Sequence, residues 1–136
     1  MNGLLLDTHA WLWAMSSPDK LPKHARSRIT SYDGPVYLST VSVMEMAIKA
    51  SLGKLVLSDG DIARFVTRVN AEADIRLLDV SLPQIAALQR LPWHHRDPFD
   101  RMLIAQATVM NLSIVTRDPS FTLYDVDIVW DRAKRR

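Results

Sequence analysis

The chain contains no cysteine. That excludes thiol catalysis, Cys-ligated metals and disulfide staples together, and it suits a reducing cytoplasm. No apolar run approaches the ~20 residues that a membrane-spanning helix needs. The apolar start at residues 3–6 is broken at once by Asp7 and His9, so no secretory signal is expected. Internal repeats and low-complexity linkers are also missing. His94 and His95 stand side by side without zinc-ligand spacing and without a third nitrogen or sulfur ligand. They read as loop residues leading to Asp97.

What is present is ordinary globular material. The 136 residues are 48% hydrophobic and 24% charged, enough for the core of one domain spanning 1–136. Seventeen basic side chains against fifteen acidic ones give a net charge of +2, by itself a weak pointer to nucleic acid.

Short apolar runs alternate with helical patterns, which predicts βαβ units and a mainly parallel sheet. Strands are expected at 3–6, 36–39, 75–80, 113–116 and 128–130. Helices are expected at 8–15, 22–30, 41–52, 59–70, 82–90 and 98–110. The last helix has the clearest signature, with Asp97 as N-cap, Pro98 at its first position and Asp100 in its first turn. Residues 132–136 form a short basic run, read as solvated. Trp11 and Trp13 lie two positions apart on one helix and cannot both face the core. One of them belongs either to a partner interface or to the boundary of a monomer.

Four acidic residues occupy special places in this scheme. Asp7 follows the first strand and Asp118 the fourth; Glu45 and Asp100 lie near the starts of two helices. In open α/β sheets ligands bind beyond the carboxyl ends of the strands, where strand order reverses. Carboxylates crowded there would need raised pKa values or a divalent cation. Oxygen ligands without His or Cys favour Mg²⁺ or Mn²⁺, ions that grip phosphates and support phosphodiester hydrolysis. Taken singly, the residues have plainer explanations: Asp7 and Asp97 as caps, Asp100 in the helix N-terminal field, Asp118 as a turn residue before Pro119.

Five segments change that balance: LLDTHA at 5–10, SVMEMAIK at 42–49, LGKL at 52–55, HRDPFDRMLIAQA at 95–107 and VTRD at 115–118. In this order they resemble the successive signatures of VapC-type PIN-domain toxins. The resemblance implies a three-layer α/β/α fold with a parallel sheet in the order 3-2-1-4-5. It implies a Mg²⁺- or Mn²⁺-dependent endoribonuclease, the toxin of a toxin–antitoxin pair. The implied partners are an RNA substrate, a small antitoxin whose helical tail fills grooves near the active site, and a second copy in a homodimer.

Carried over by position, Asp7 and Asp100 are the principal metal ligands. Glu45 and Asp118 complete the set, directly or through water on the metal. Thr8 and Thr116 are placed to hydrogen-bond the carboxylates. Asp97 matches the pattern but is read chiefly as a cap. Arg117 and Arg101 are candidates for phosphate contact, with ordinary surface charge as the alternative for each.

Setting the four carboxylates aside leaves 17 basic against 11 acidic groups, a better match to a polyanion-binding surface. Lys49, Lys54, Arg96 and the run 134–136 are candidates for it. Two competing readings remain: an RNA- or antitoxin-binding PIN domain without turnover, and a haloacid-dehalogenase-like phosphohydrolase. The latter requires a second Asp two positions after the first, where this chain has His9.

Overall fold

The computed structural model describes residues 2–131. Its elements follow in the order β1 Leu4–Leu6, α1 Thr8–Ser16, α2 Lys23–Ser31, β2 Val36–Ser39, α3 Thr40–Ser51, α4 Ile62–Ala73, β3 Arg76–Leu78, α5 Leu82–Arg90, α6 Pro98–Met110, β4 Ser113–Val115 and β5 Asp127–Val129. Two 3₁₀ turns, Pro18–Lys20 and Pro119–Leu123, were not anticipated from the pattern.

The five strands form one parallel sheet in the order β3-β2-β1-β4-β5. Helices cover both of its faces, giving three α/β/α layers. Strand β1 lies at the centre, Leu4 pairing Val36 on one side and Ser113 on the other. A strand covered on both faces has no polar side, which explains the unbroken Leu4-Leu5-Leu6 run, all of it fully buried. Side-chain alternation divides the core in two. Leu4, Leu6, Leu38 and Val115 pack with Trp11, Met46 and Val66 on one face. Leu5 and Ile114 pack with Met102, Leu103, Ile104 and Phe121 on the other.

Trp11 is fully buried, its indole N–H donating to Asn70 Oδ1 at 2.9 Å. Trp13 is half-buried and packs against Trp130 at the margin of the same core, so, contrary to expectation, both tryptophans contact it, one from within and one from its edge.

Helix α4 starts later than expected. Both Asp59 and Asp61 are plausible caps, but Asp61 accepts from the Ala63 and Arg64 amides, whereas Asp59 is taken by Arg68 at 2.8 and 3.0 Å. Strand β3 is shorter than expected because it is an edge strand, paired only to β2. The basic run at 132–136 lies outside the described residues. Among those described, no helix is long and apolar enough to cross a membrane.

Gly3 feeds β1 into a tight space. A Cβ there would lie 2.9 Å from the Pro35 carbonyl oxygen and 3.1 Å from the Tyr37 ring. The backbone oxygen cannot step aside without moving the mouth of β2. Gly3→Ala is therefore expected to cost about 1–3 kcal/mol, measurable as a lower urea midpoint with an unchanged slope. A midpoint equal to wild type would show that the strand entry yields freely.

Candidate metal centre

Where β1 has β2 on one flank and β4 on the other, the chains leaving β1 and β4 diverge and open a cleft of about 440 Å³. Asp7, Glu45, Asp97, Asp100 and Asp118 all line it, with Thr8, His9, Trp13, Arg117 and Pro119. Asp7, Asp97, Asp100 and Asp118 sit at element ends that the topology brings to one rim, and Glu45 reaches the same cavity from the middle of α3.

Asp7 caps α1, its Oδ1 accepting the Ala10 amide at 2.8 Å. Burial raises its carboxyl above the usual range, and the nearby Glu45 charge adds to this. Hydrogen bonds from the Thr116 hydroxyl and the Ala10 amide, with the His9 charge, oppose the rise without cancelling it. Glu45 projects from α3. Thr8 donates to its Oε1 at 2.8 Å, and the Lys49 ammonium, one helical turn on, lies 3.2 Å from its Oε2. Lys49 is thus a counter-ion of Glu45 from outside the cleft lining. Lys54 and Arg96 are exposed and do not line the cleft.

Asp100 stands in the first turn of α6. Desolvation, then the Asp97 charge, push its carboxyl up to about 7, with smaller contributions from Asp7 and Glu45 against a lowering by His95. Asp118 behaves oppositely. Burial acts upward on it, but hydrogen bonds from Ser120 and His95 outweigh that and leave it below the ordinary carboxylate range. Its Oδ1 accepts the Ser120 amide at 2.9 Å, and its own amide donates to Thr116 Oγ1 at 3.1 Å. Thr116 is fully buried beneath the cleft and ties Asp7 to Asp118. Asp97 is the N-cap of α6, accepting from the Phe99 and Asp100 amides at 2.8 and 3.3 Å while also touching the cavity.

Two expectations need correction. Arg101 is neither a phosphate contact nor surface charge. Only 4% exposed, it points away from the cleft and donates to the carbonyls of Leu88, Leu91, Pro92 and His95 and to the Tyr124 hydroxyl. Trp93 covers its guanidinium at 3.8 Å. The connection between α5 and α6 has few internal hydrogen bonds, and Arg101 supplies them.

His95 is more than a loop residue. Its Nε2 lies 3.1 Å from Asp118 Oδ2 and 3.2 Å from Asp100 Oδ2, so the three side chains converge on one point. Its position two residues before the α6 cap was the one available signal. Trp13 was also missed as a cleft residue. It lines the opening with Arg117 and Lys20 about 6 Å from its ring centre (6.0 and 5.9 Å).

The PIN domain family model matches residues 4–127. No curated relative matches the chain by sequence. Among solved structures, the chain is similar to DNA-bound VapBC from Salmonella typhimurium, with 19% identity, a TM-score of 0.67, and 96% of this chain and 98% of that one covered. It is similar to VapBC2 from Rickettsia felis, bound to a promoter DNA fragment, with 12% identity, a TM-score of 0.70, and 93% and 96% covered. A third likeness is VapBC-5 from Mycobacterium tuberculosis, a member of the VapBC family of toxin-antitoxin systems, with 20% identity, a TM-score of 0.59, and 96% and 99% covered. At such identities the likeness is one of fold.

Proposed function

The chain belongs to the PIN-domain family, and from that membership we propose that it is a metal-dependent endoribonuclease, the toxin of a toxin–antitoxin pair. The observation that carries this reading is the meeting of Asp7, Glu45, Asp100 and Asp118 around one cavity. In this reading residues 1–136 form one such domain, active in the cytoplasm as a homodimer and restrained by a small antitoxin protein. The toxin–antitoxin assignment draws on the VapBC structures that share its fold.

The side chains suit a hard divalent cation. Burial above all raises the Asp7 and Asp100 carboxyls, and like charges nearby add to it. An oxygen-rich donor set of this kind favours Mg²⁺ or Mn²⁺. Asp7 and Asp100 would hold the ion, with Glu45 and Asp118 completing the set. When bound, such an ion eases deprotonation of a water and neutralises charge on the phosphoryl oxygens.

The protein's own groups supply the rest. Thr8 and Lys49 fix both oxygens of Glu45, and Thr116 and Ser120 hold the walls on the β4 side. At the mouth, the exposed Arg117 guanidinium is placed for a substrate phosphate. The Trp13 ring beside it offers a surface on which an unpaired base can stack, the usual way single-stranded RNA is gripped.

Purified protein incubated with a single-stranded RNA is expected to cut it with Mn²⁺ or Mg²⁺ and to stop on adding EDTA. RNA binding without cleavage under those conditions would favour a binding module. Turnover of a small phosphomonoester with intact RNA would favour a phosphohydrolase.

A further inference from the structure

We propose that His95 is a positioning residue, a hydrogen-bond donor locked in one tautomer that spans Asp100 and Asp118, and not a ligand of the metal. The far side of its ring fixes the tautomer. Nδ1 lies 3.1 Å from the Asp97 backbone nitrogen, which can only donate. A proton on Nδ1 would oppose that donor, so Nδ1 presents its lone pair and the proton resides on Nε2. Nε2 in turn faces two acceptors, Asp118 Oδ2 at 3.1 Å and Asp100 Oδ2 at 3.2 Å. A metal-ligating histidine has the inverse arrangement, a lone pair toward the ion and an N–H given to an acceptor behind it. The Asp97 amide closes that option, and the same Asp97 caps the helix that carries Asp100.

The ring is held from behind. The amides of His94 and His95 donate to the Tyr124 hydroxyl at 3.1 and 2.9 Å, and that hydroxyl donates to the Pro92 carbonyl at 2.8 Å. Arg101 binds the His95 carbonyl at 3.3 Å, and Phe121 meets the imidazole edge-on at 5.7 Å. The connection before α6 and the turn after β4 are thereby fastened to one another. His95 sets the separation of the two carboxylates they carry.

The consequence for metal affinity rests on the metal-dependent reading above; the tautomer does not. Long-range ¹H–¹⁵N correlation spectra of the full chain, with His95 assigned through His95→Gln, are expected to show the proton on Nε2 and none on Nδ1, unchanged when Mg²⁺ is added. Calorimetric titration with Mn²⁺ is expected to find His95→Ala weaker by about 10–100-fold, and His95→Gln, whose amide can still donate, within about threefold of wild type. Thermal melts of each variant separate this loss from loss of fold. A proton on Nδ1, loss of the Nε2 proton on adding Mg²⁺, or a well-folded His95→Ala that binds Mn²⁺ as tightly as wild type would overturn the proposal. Wild type that binds no Mn²⁺ would sink the nuclease reading instead, while the metal-free spectra would still decide the tautomer.

Discussion

Asp100→Asn is expected to leave RNA uncut in the presence of Mn²⁺ or Mg²⁺ while melting at a higher temperature than wild type in metal-free buffer. The two effects share one cause. In the folded chain the Asp100 carboxyl is raised to about 7 by desolvation and by the neighbouring Asp97 charge. A carboxyl raised on folding contributes stability that is complete below its unfolded value and is lost as pH climbs through the folded one. The metal-free wild type therefore gives up stability between about pH 4 and pH 7, and the neutral amide does not. Discounted for solvent screening, the gain at pH 7 is on the order of 1 kcal/mol, or roughly 3–5 °C for a chain of this length. The variant should nearly match wild type at pH 4 and pull ahead toward pH 7. Loss of an outer hydrogen-bond partner already costs a metal site about 10–100-fold, so loss of a ligand should exceed about 100-fold in cleavage rate. Asp7→Asn should behave alike, because an Asn oxygen can still cap α1. Wild-type cleavage by either variant would contradict the mechanism.

Arg101→Leu is expected to lower stability by about 3 kcal/mol, since it strands carbonyls that a charged donor had satisfied. The guanidinium reaches Leu88, Leu91, Pro92 and His95 at 2.9 to 3.4 Å with no carboxylate partner among those contacts. Arg101→Lys should recover little, because one ammonium cannot fork across two sets of acceptors. Urea unfolding measures the loss. Cleavage assayed well below the melting temperature should fall as well, since His95 is released. A Lys variant as stable as wild type would show that charge alone, and not the planar fork, holds the loop.

The strands and most helices were legible because their determinants are local. Leu4-Leu5-Leu6 has no polar face because it is covered on both sides, and α6 announces itself through Asp97 and Pro98. Strand order is not a local property, and it came from resemblance. The start of α4 was misplaced because choosing between Asp59 and Asp61 depends on where Arg68 falls one face away. Asp7, Asp100 and Asp118 could be picked out because each adjoins an element end, whereas Glu45, in the middle of α3, was fixed by the family resemblance. Arg101 and His95 were misread for the opposite reason: their environments are assembled by Tyr124, more than twenty residues downstream, and by a backbone path that no periodicity encodes.

The cleft's walls are synthesised in chain order. Asp7 is made first and Asp118 last, with Glu45 and Asp100 between, and β4 must be in place before Asp118 can be presented. A polypeptide still emerging from the ribosome, or one clipped ahead of β4, carries three of the four acids but lacks the partner that closes the ring. Under the nuclease reading proposed above, the acidic set is therefore complete only once translation has passed that strand.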